Sequence, residues 1–534
     1  MSTDSSIPAP QSPENGNPRR SHRKTDWVSV LFEDVRDCET HGSEQPDFFG
    51  DLNLDQVLGA MTIGRERYSL EPFFAVALHD PGAVQYRHEV LCDLERPQVL
   101  DAIKKFAELM DRVREHLRHA EKLSHRLQQE SWFVDAAEIY CDAARRLAGE
   151  MVSAGVSSRA LGRMCDYLHS YVGSESFTAL ERETSAVKER IAGLRYRLRI
   201  HGPRVTVSRD EAEEDYSIGV LQTFAKFRQA AANGYLVALS SHAEMNHIEA
   251  QILEGVAELH PEQFAARAAY CAHHREFLDA TIVRFNREVQ FYVAYLELIA
   301  PLRSSGLAFC CPQVSADAKD EGVRDAFDLG LAIKTTPENR EVVCNDLSLQ
   351  GSERVFVVSG PNNGGKTTFA RMFGQLHHLA ALGLPVPGRE ARLFLPDRIF
   401  THFEREETIE TLHGKFDEEL MRVREILGQA TSQSLIVMNE SFSSTTLNDA
   451  LFVGTEVMRQ ILERGCLGVY VTFVEEIASL SDATVSLVAE VVADNPAQRT
   501  FKVLRRPADG LAYAHAIAEK HGVTFERLME RIEG

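Results

Sequence analysis

The chain has 534 residues, which is more than one hydrophobic core usually supports, so we expect at least two domains. Its apolar content of 44% is ordinary for a globular protein and excludes bulk disorder. The net charge of −21 argues against binding nucleic acid over the whole surface, because affinity for the phosphate backbone comes mainly from Lys and Arg. Any DNA contact therefore needs a local basic surface.

No apolar run in the sequence reaches the length of a membrane-spanning helix, and the N-terminus lacks the hydrophobic stretch of a secretory signal. We therefore expect a cytoplasmic protein that makes no membrane contact. The nine cysteines are consistent with that location, because they include no C-x-x-C pair and because an odd number is a poor disulfide framework. We interpret the adjacent Cys310 and Cys311 as packing thiols.

The N-terminal half divides into a tail and a long helical region. Residues 1–24 are rich in Ser, Pro and Asn and end in a basic cluster, which predicts a disordered tail. Over residues 25–305, apolar side chains recur in alternating steps of three and four, which predicts long helices packed lengthwise. The two clearest stripes are Ile103, Phe106, Met110, Val113, Leu117 and Ala120, and Leu278, Ile282, Phe285, Val289, Tyr292, Leu296 and Ile299.

Strict alternation of residue type predicts a β-hairpin at residues 195–209, around the turn His201-Gly202-Pro203. Its first strand places three arginines on one face, namely Arg195, Arg197 and Arg199. Two interpretations remain open and carry equal weight. The arginines either balance the acidic residues that follow, of which Asp210 is the first, or they track a phosphate backbone.

Residues 306–345 change to short mixed segments with Gly and Pro, which is typical of a connector. Beyond them, three short apolar runs are separated by helical stretches, a pattern that predicts parallel strands in an α/β sheet. The three runs are Val355–Val358, Ser434–Met438 and Leu467–Val471. We therefore place an α/β domain at residues 346–534.

A phosphate-binding loop follows the first of these strands. The run from Gly360 to Thr367 satisfies G-x-x-x-x-G-K-[ST] and precedes the helix-like segment Phe369–Leu382. Glycines let successive backbone N–H groups point at phosphate oxygens, Lys366 reaches the β- and γ-phosphates, and the Thr367 hydroxyl binds magnesium. The predicted ATP-binding residues are Gly360, Pro361, Asn362, Asn363, Gly364, Gly365, Lys366, Thr367 and Thr368.

The second strand ends in Asn439 and Glu440. In phosphate-loop ATPases such a strand end usually supplies a carboxylate on the magnesium side, followed by a glutamate that polarises the attacking water. We predict Glu440 and Lys366 as the catalytic residues, and Thr367 and Asn439 as the magnesium-side residues. Asn439 is a departure, because an amide orients magnesium-bound water without contributing negative charge.

These residues resemble the MutS mismatch-repair ATPases, a branch of the ABC-type ATPases. The resemblance runs from Asn345 to the C-terminus and includes the Asn345–Leu349 segment, Asp397–Thr401 and the closing segment Gly510–Ala514. The doubled Gly364-Gly365 is its most specific detail. The resemblance implies an α/β P-loop ATPase domain of the ABC type, preceded by a mainly α-helical core and lever domain, with a C-terminal helical segment that forms a homodimer.

Three positions depart from that family's pattern. Besides Asn439, Gly414 stands in place of a serine that a partner subunit directs at the γ-phosphate, with Lys415 and Phe416 following it. Phe473, after Thr472, takes the place of a switch histidine, although it is also interpretable as a core residue below its strand. We expect slow ATP hydrolysis, with ATP acting largely as a dimerising switch.

The resemblance implies an ATP-dependent DNA-binding protein of the MutS type, whose ATP sites at a dimer interface open and close a clamp around duplex DNA. Mismatch repair and the processing of branched DNA both fit this class. A branched substrate suits the sequence better, because no Phe-x-Glu wedge that reads mismatches is evident. The alternative is a nucleotide-switched protein–protein scaffold whose acidic surface avoids nucleic acid and whose ATPase activity is weak or absent.

Overall fold

The computed structural model describes residues 29–34, 45–210, 245–338, 340–404, 414–492 and 495–508. The expected tail at 1–24 and the closing segment Gly510–Ala514 lie outside these residues. Among the helices described, none is long and apolar enough to cross a membrane.

Among the described residues up to Ser304, the first part of the chain is helical apart from one hairpin. Its helices are α1 (Phe48–Asp51), α2 (Leu54–Thr62), α3 (Glu71–Ala75), α4 (Pro81–Leu94), α5 (Pro97–Lys122), α6 (Arg126–Ala154), α7 (Arg159–Val172), α8 (Glu175–Ala192), α9 (His247–Leu259), α10 (Pro261–His273) and α11 (Ala280–Ser304). Helices α5 and α6 are 26 and 29 residues long and pack against each other along their length.

Both predicted apolar stripes lie in helices. On α5 the stripe is buried from Ile103 to Val113 and half-buried beyond that point. On α11 it begins one turn later than predicted, because the Asp279 carboxylate accepts hydrogen bonds from the backbone N–H groups of Thr281 and Ile282 and so caps the helix. Leu278 therefore precedes the helix.

The alternating segments at 195–209 form an antiparallel hairpin of β1 (Tyr196–His201) and β2 (Arg204–Arg209). Gly202 turns the chain with a φ of 58°. The hairpin rests on α9, where Val207 packs so closely against Gly255 that an added Cβ atom would lie 3.2 Å from the valine side chain. Most other hairpin side chains are exposed.

The second part of the chain is an α/β fold. Its elements are β3 (Phe309–Cys310), β4 (Gln313–Ser315), β5 (Glu321–Ala326), α12 (Leu329–Thr335), β6 (Asn345–Leu349), β7 (Val355–Ser359), α13 (Lys366–Ala381), β8 (Val386–Pro387), β9 (Glu390–Phe394), β10 (Ile399–Phe403), α14 (Lys415–Gln429), β11 (Leu435–Asn439), α15 (Leu447–Arg464), β12 (Leu467–Val471), β13 (Thr484–Val492) and β14 (Asn495–Arg505).

A six-stranded sheet in the order β10-β11-β12-β7-β13-β14 forms its centre. The first five strands are parallel and β14 is antiparallel to β13. The three apolar runs identified in the sequence are β7, β11 and β12, and every residue of these strands is buried. Because the strands are parallel, their carboxyl ends meet at one edge of the sheet, where the phosphate loop begins.

Residues 306–345, which we expected as a connector, are folded into a second sheet. Strands β4 and β5 both pair with β9, and β5 also pairs with β6, giving the order β4-β9-β5-β6. The segment is fixed because Glu321, which is 1% exposed, accepts hydrogen bonds from the Phe394 backbone N–H at 3.1 Å and from the His377 ring at 2.6 Å. The sequence did not predict this strand pairing, because the segment is mixed and partly polar in composition.

Helix α13 joins the two parts of the molecule. The Gln375 side chain donates a hydrogen bond to the Leu52 carbonyl at 2.8 Å and accepts one from the Leu329 backbone N–H at 2.8 Å. Next to it, His378 bonds to the Phe74 carbonyl at 2.9 Å. One continuous core cluster includes buried residues of both parts.

Candidate active site

The loop between β7 and α13 has the backbone geometry of an anion cradle. Gly360, Asn363 and Gly365 have φ angles of 112°, 58° and 95°, in the left-handed region that favours Gly and tolerates Asn. An added Cβ atom at Gly360 would lie 3.0 Å from both the backbone nitrogen and the backbone oxygen of Ala489 in β13. The neighbouring strand therefore fixes the loop from one side.

The two adjacent glycines of the loop are required for different reasons. At Gly364 an added Cβ would lie 2.9 Å from the Pro361 carbonyl oxygen and 3.0 Å from the Ala489 Cβ, so the constraint is steric. At Gly365 the constraint is the dihedral angle, because this residue precedes the first turn of α13 with a positive φ. The doubled glycine thus follows from packing against β13 together with the start of the helix.

The Lys366 side chain is 5% exposed and folds back into the loop. Its Nζ donates to the Gly360 carbonyl at 2.9 Å, the Asn362 Oδ1 at 3.1 Å and the Pro361 carbonyl at 3.3 Å. Burial lowers the pKa of Lys366, and the charge of Glu440, whose Oε1 lies 3.9 Å from Nζ, opposes that shift. Thr367 and Thr368 follow in the first turn of α13 and are half-buried.

Asn439 and Glu440 lie at the carboxyl end of β11, on the same sheet edge as the loop. Asn439 is 7% exposed, and its Oδ1 has no hydrogen-bond partner within the described part of the chain. Glu440 has a φ of 52°, and its backbone N–H donates to the Val471 carbonyl at 2.9 Å. Its carboxylate is 36% exposed, so it faces both Lys366 and solvent.

The magnesium-side residues predicted from sequence have suitable chemistry for that ion. Mg²⁺ prefers oxygen ligands and retains several waters. Thr367 offers a hydroxyl oxygen, and Asn439 offers a buried amide oxygen that lacks a partner among the described groups, which is unusual for a buried polar atom. These two residues therefore fit a hydrated divalent cation, with no carboxylate contributed by position 439.

Three further residues border the loop, and sequence reasoning did not assign them a role. Asn345 is 9% exposed, donates through Nδ2 to the Phe501 carbonyl at 3.2 Å and accepts through Oδ1 from the Val503 N–H at 2.8 Å. Phe501 is 49% exposed with a φ of 59°, and an added Cβ at Gly365 would lie 3.7 Å from its Cα. Arg499 donates to the Asn362 carbonyl at 3.2 Å. Asn345 thus holds β14 against β6, and Arg499 of β14 contacts the loop.

The two departures from the family pattern other than Asn439 have distinct surroundings. Gly414 is exposed and is the N-cap of α14, so the first backbone N–H groups of that helix follow it directly. Lys415 donates to Glu404 at 2.6 Å, which offsets its charge. Phe473 is 50% exposed, so its interpretation as a core residue is wrong; it lies just beyond the buried Thr472.

Comparison with known proteins finds a family match over this part of the chain. The family model for MutS domain V matches residues 356–524. Similar curated proteins include Endonuclease MutS2 of Thermus thermophilus, 29% identical over 220 residues, covering 39% of this chain and 29% of that protein. DNA mismatch repair protein MutS of Granulibacter bethesdensis is 28% identical over 268 residues, covering 47% of this chain and 27% of that protein.

A third relative, DNA mismatch repair protein MutS of Erythrobacter litoralis, is 30% identical over 185 residues, which are 34% of this chain and 21% of that protein. The chain therefore spans less than a third of the length of these relatives. MutS domain V is a P-loop ATPase domain, and the match includes the loop, β11 and α14. Residues 356–524 are thus similar to MutS domain V, and a mainly helical part precedes them in the chain.

Proposed function

We propose that the chain is a DNA-binding ATPase of the MutS type, in which ATP binding and hydrolysis between two copies open and close a clamp around DNA. The observation that carries the proposal is the convergence of the phosphate loop and Glu440 at one sheet edge, with 3.9 Å between Lys366 Nζ and Glu440 Oε1. In this proposal, residues 25–305 form the core and lever domain and residues 346–534 form the ATPase domain with its dimerising end.

Residues 360–368 bind the ATP phosphates. The N–H groups of the loop and the start of α13 face anionic oxygens, and the helix dipole favours negative charge there. Lys366 exchanges its three contacts with Gly360, Pro361 and Asn362 for β- and γ-phosphate oxygens. The exposed ring of Phe501 beside Gly365 offers a flat apolar surface for the base.

Hydrolysis depends on Glu440, which orients and polarises the attacking water. Magnesium, when bound, would offset the negative charge of the ATP phosphates. The Thr367 hydroxyl and the Asn439 amide would hold the ion directly or through water. Because Asn439 brings no negative charge and Phe473 brings no imidazole to the γ-phosphate, we expect turnover at the slow end of the ATPase range. The cytoplasm supplies both ATP and magnesium and is the proposed location.

The DNA-binding part of the proposal rests on the β1–β2 hairpin. Arg195, Arg199 and Arg204 are exposed, whereas Arg197 pairs with Asp210 at 3.5 Å. The positive charge of Arg197 is therefore partly balanced by an acid, whereas the other three arginines are exposed to solvent. Ile200 in the same hairpin is exposed as well. Such a basic, protruding ribbon is suited to a phosphate backbone. The names of the relatives associate them with mismatch repair and with endonuclease action, so mismatched or branched duplexes are the substrates to test.

The competing function is a nucleotide-switched protein–protein scaffold, which the net charge of −21 favours. Fluorescence anisotropy with homoduplex, mismatched and four-way-junction DNA, each with and without a non-hydrolysable ATP analogue, separates the two. We expect binding at low salt, strongest for a distorted duplex and altered by nucleotide. If every DNA fails to bind at low salt, DNA is removed from the function and the scaffold remains.

The ATPase part has its own test. ATP turnover is measured for wild type and for Glu440→Gln, together with binding of a fluorescent ATP analogue. We expect Glu440→Gln to keep its affinity for ATP within a factor of about three and to lose at least about 100-fold in kcat, because the amide cannot polarise water as a carboxylate does. Wild-type turnover equal to the buffer blank would show that hydrolysis is not the function.

A further inference from the structure

The segment that follows β11, residues 440–444, carries Glu440 in a strained backbone. Glu440 and Phe442 have φ angles of 52° and 63°, although neither is glycine. Residues in the left-handed region persist only where the surrounding structure fixes them, and such strain is concentrated at functional sites. The contacts that hold these two residues therefore also fix the direction of the Glu440 carboxylate.

One of these contacts comes from Glu419, in the second turn of α14. Its side chain is 5% exposed, and its Oε2 accepts hydrogen bonds from the Phe442 backbone N–H at 3.0 Å and from the Ser444 hydroxyl at 3.3 Å. Burial raises the pKa of Glu419, whereas the bond from the Phe442 N–H lowers it. Bonds between a carboxylate and a backbone N–H are among the stronger protein hydrogen bonds.

Other side chains support the same segment from α14 and from β10. The Phe416 ring lies 6.4 Å from the Phe442 ring, and the His402 ring bonds to the Ser441 hydroxyl at 2.7 Å. Glu419 differs from these supports because it holds the backbone itself, two residues beyond Glu440. It also belongs to a helix whose first residue follows Gly414.

We propose that Glu419 is a positioning residue, which holds the Phe442 N–H and thereby fixes the Glu440 carboxylate in a productive orientation. This proposal rests on the ATPase function proposed above and adds a residue that orients Glu440.

The test compares Glu419→Gln, Glu419→Ala and the matched control Glu425→Gln, which changes an exposed acid on the same helix. In the full-length protein we expect ATP-analogue affinity to stay within about twofold in all three variants, because none touches the phosphate loop. We expect kcat to fall at least about tenfold in Glu419→Ala and less in Glu419→Gln, since Gln retains an oxygen that accepts from the Phe442 N–H. The control keeps the wild-type rate.

Two further measurements distinguish the loss of Glu440 orientation from a general loss of folded structure. Adding Glu419→Ala to Glu440→Gln is expected to cause no further loss of kcat, because the carboxylate that it orients is already gone. Hydrogen exchange followed by mass spectrometry is expected to show faster exchange of peptides containing Phe442 in Glu419→Ala, with wild-type melting temperature.

The two possible failures are distinguishable. An unchanged kcat together with unchanged exchange in Glu419→Ala overturns the positioning role and leaves the ATPase intact. Additive losses in the double variant have the same consequence, because they show independent effects. Absence of wild-type turnover instead overturns the ATPase function and with it the role of Glu419 in hydrolysis. Faster exchange in Glu419→Ala would still show that Glu419 holds the Phe442 N–H.

Discussion

The phosphate loop and the β1–β2 hairpin both present groups suited to anions, and they do so in opposite ways. In the loop, one lysine is 5% exposed, and backbone angles, an adjacent strand and three hydrogen bonds fix its surroundings. In the hairpin, arginines lie on exposed strands, and Ile200 at 72% exposure has no apolar cover.

This difference indicates which of the two sites is selective for a particular ligand. The loop is preorganised for one shape of polyphosphate, so its affinity depends on individual atoms and little on salt. The hairpin offers charge without a defined pocket, so its contribution is expected to be spread over several residues and to fall with ionic strength. Single substitutions should therefore have large effects at the loop and small effects at the hairpin.

The largest effect is expected for Lys366→Ala. Removing the only loop side chain that carries positive charge to the β- and γ-phosphates is expected to weaken ATP binding at least about 100-fold, which is about 2.7 kcal/mol. Titration of a fluorescent ATP analogue measures the change. The control is Lys105→Ala, which removes an exposed lysine from α5. Comparable affinity for ATP in wild type and Lys366→Ala would place nucleotide binding elsewhere.

A smaller effect is expected for Gly364→Ala. Its new Cβ would lie 2.9 Å from the Pro361 carbonyl oxygen, so the loop must shift by several tenths of an ångström. We expect ATP affinity to fall about tenfold, since 1.4 kcal/mol corresponds to that factor. The control is Gly428→Ala in α14, where an added Cβ meets nothing within 4 Å. If both variants bind ATP like wild type, the loop is more adaptable than its packing indicates.

The smallest effect per residue is expected at the hairpin. Replacing Arg195 and Arg199 together by Gln should weaken binding to a four-way junction about three- to tenfold at low salt and reduce the salt slope by one to two units, because each phosphate contact contributes about one. ATP affinity should not change. Arg146→Gln removes an exposed arginine of α6 and is the control. An unchanged salt slope in the double variant would assign DNA binding to another surface.

Sequence reasoning succeeded where the information is local. The strand, loop and helix around Lys366 lie within about two dozen residues, and each carries its own signature of apolar residues, glycines and caps. Alternation around Gly202 likewise identified the hairpin. In these places the backbone angles that a residue allows and the face that it buries decide the structure.

Prediction from the sequence was weakest where distant segments meet. The bond between Asn345 and Phe501 joins residues 156 positions apart, and β14 contacts the loop only after the whole sheet is assembled. Glu419 resembles any other acid on an amphipathic helix until β11 places the Phe442 N–H beside it. For the same reason β4 and β5 were expected as part of a connector, because their partner β9 lies far along the chain, with Gln313 and Gly322 both paired with Arg392.

The junction at α13 has a consequence for dissecting the protein into fragments. The rings of Phe48, Phe49 and Phe74 surround His378, and the Arg371 side chain donates to the Asp51 carbonyl at 3.0 Å. A fragment that begins at residue 346 would expose this face of α13 to water. The buried side chains of Gln375 and His378 would lose their hydrogen bonds to the Leu52 and Phe74 carbonyls. Such a fragment would be prone to aggregate, so assays of nucleotide turnover need the helical part to be present.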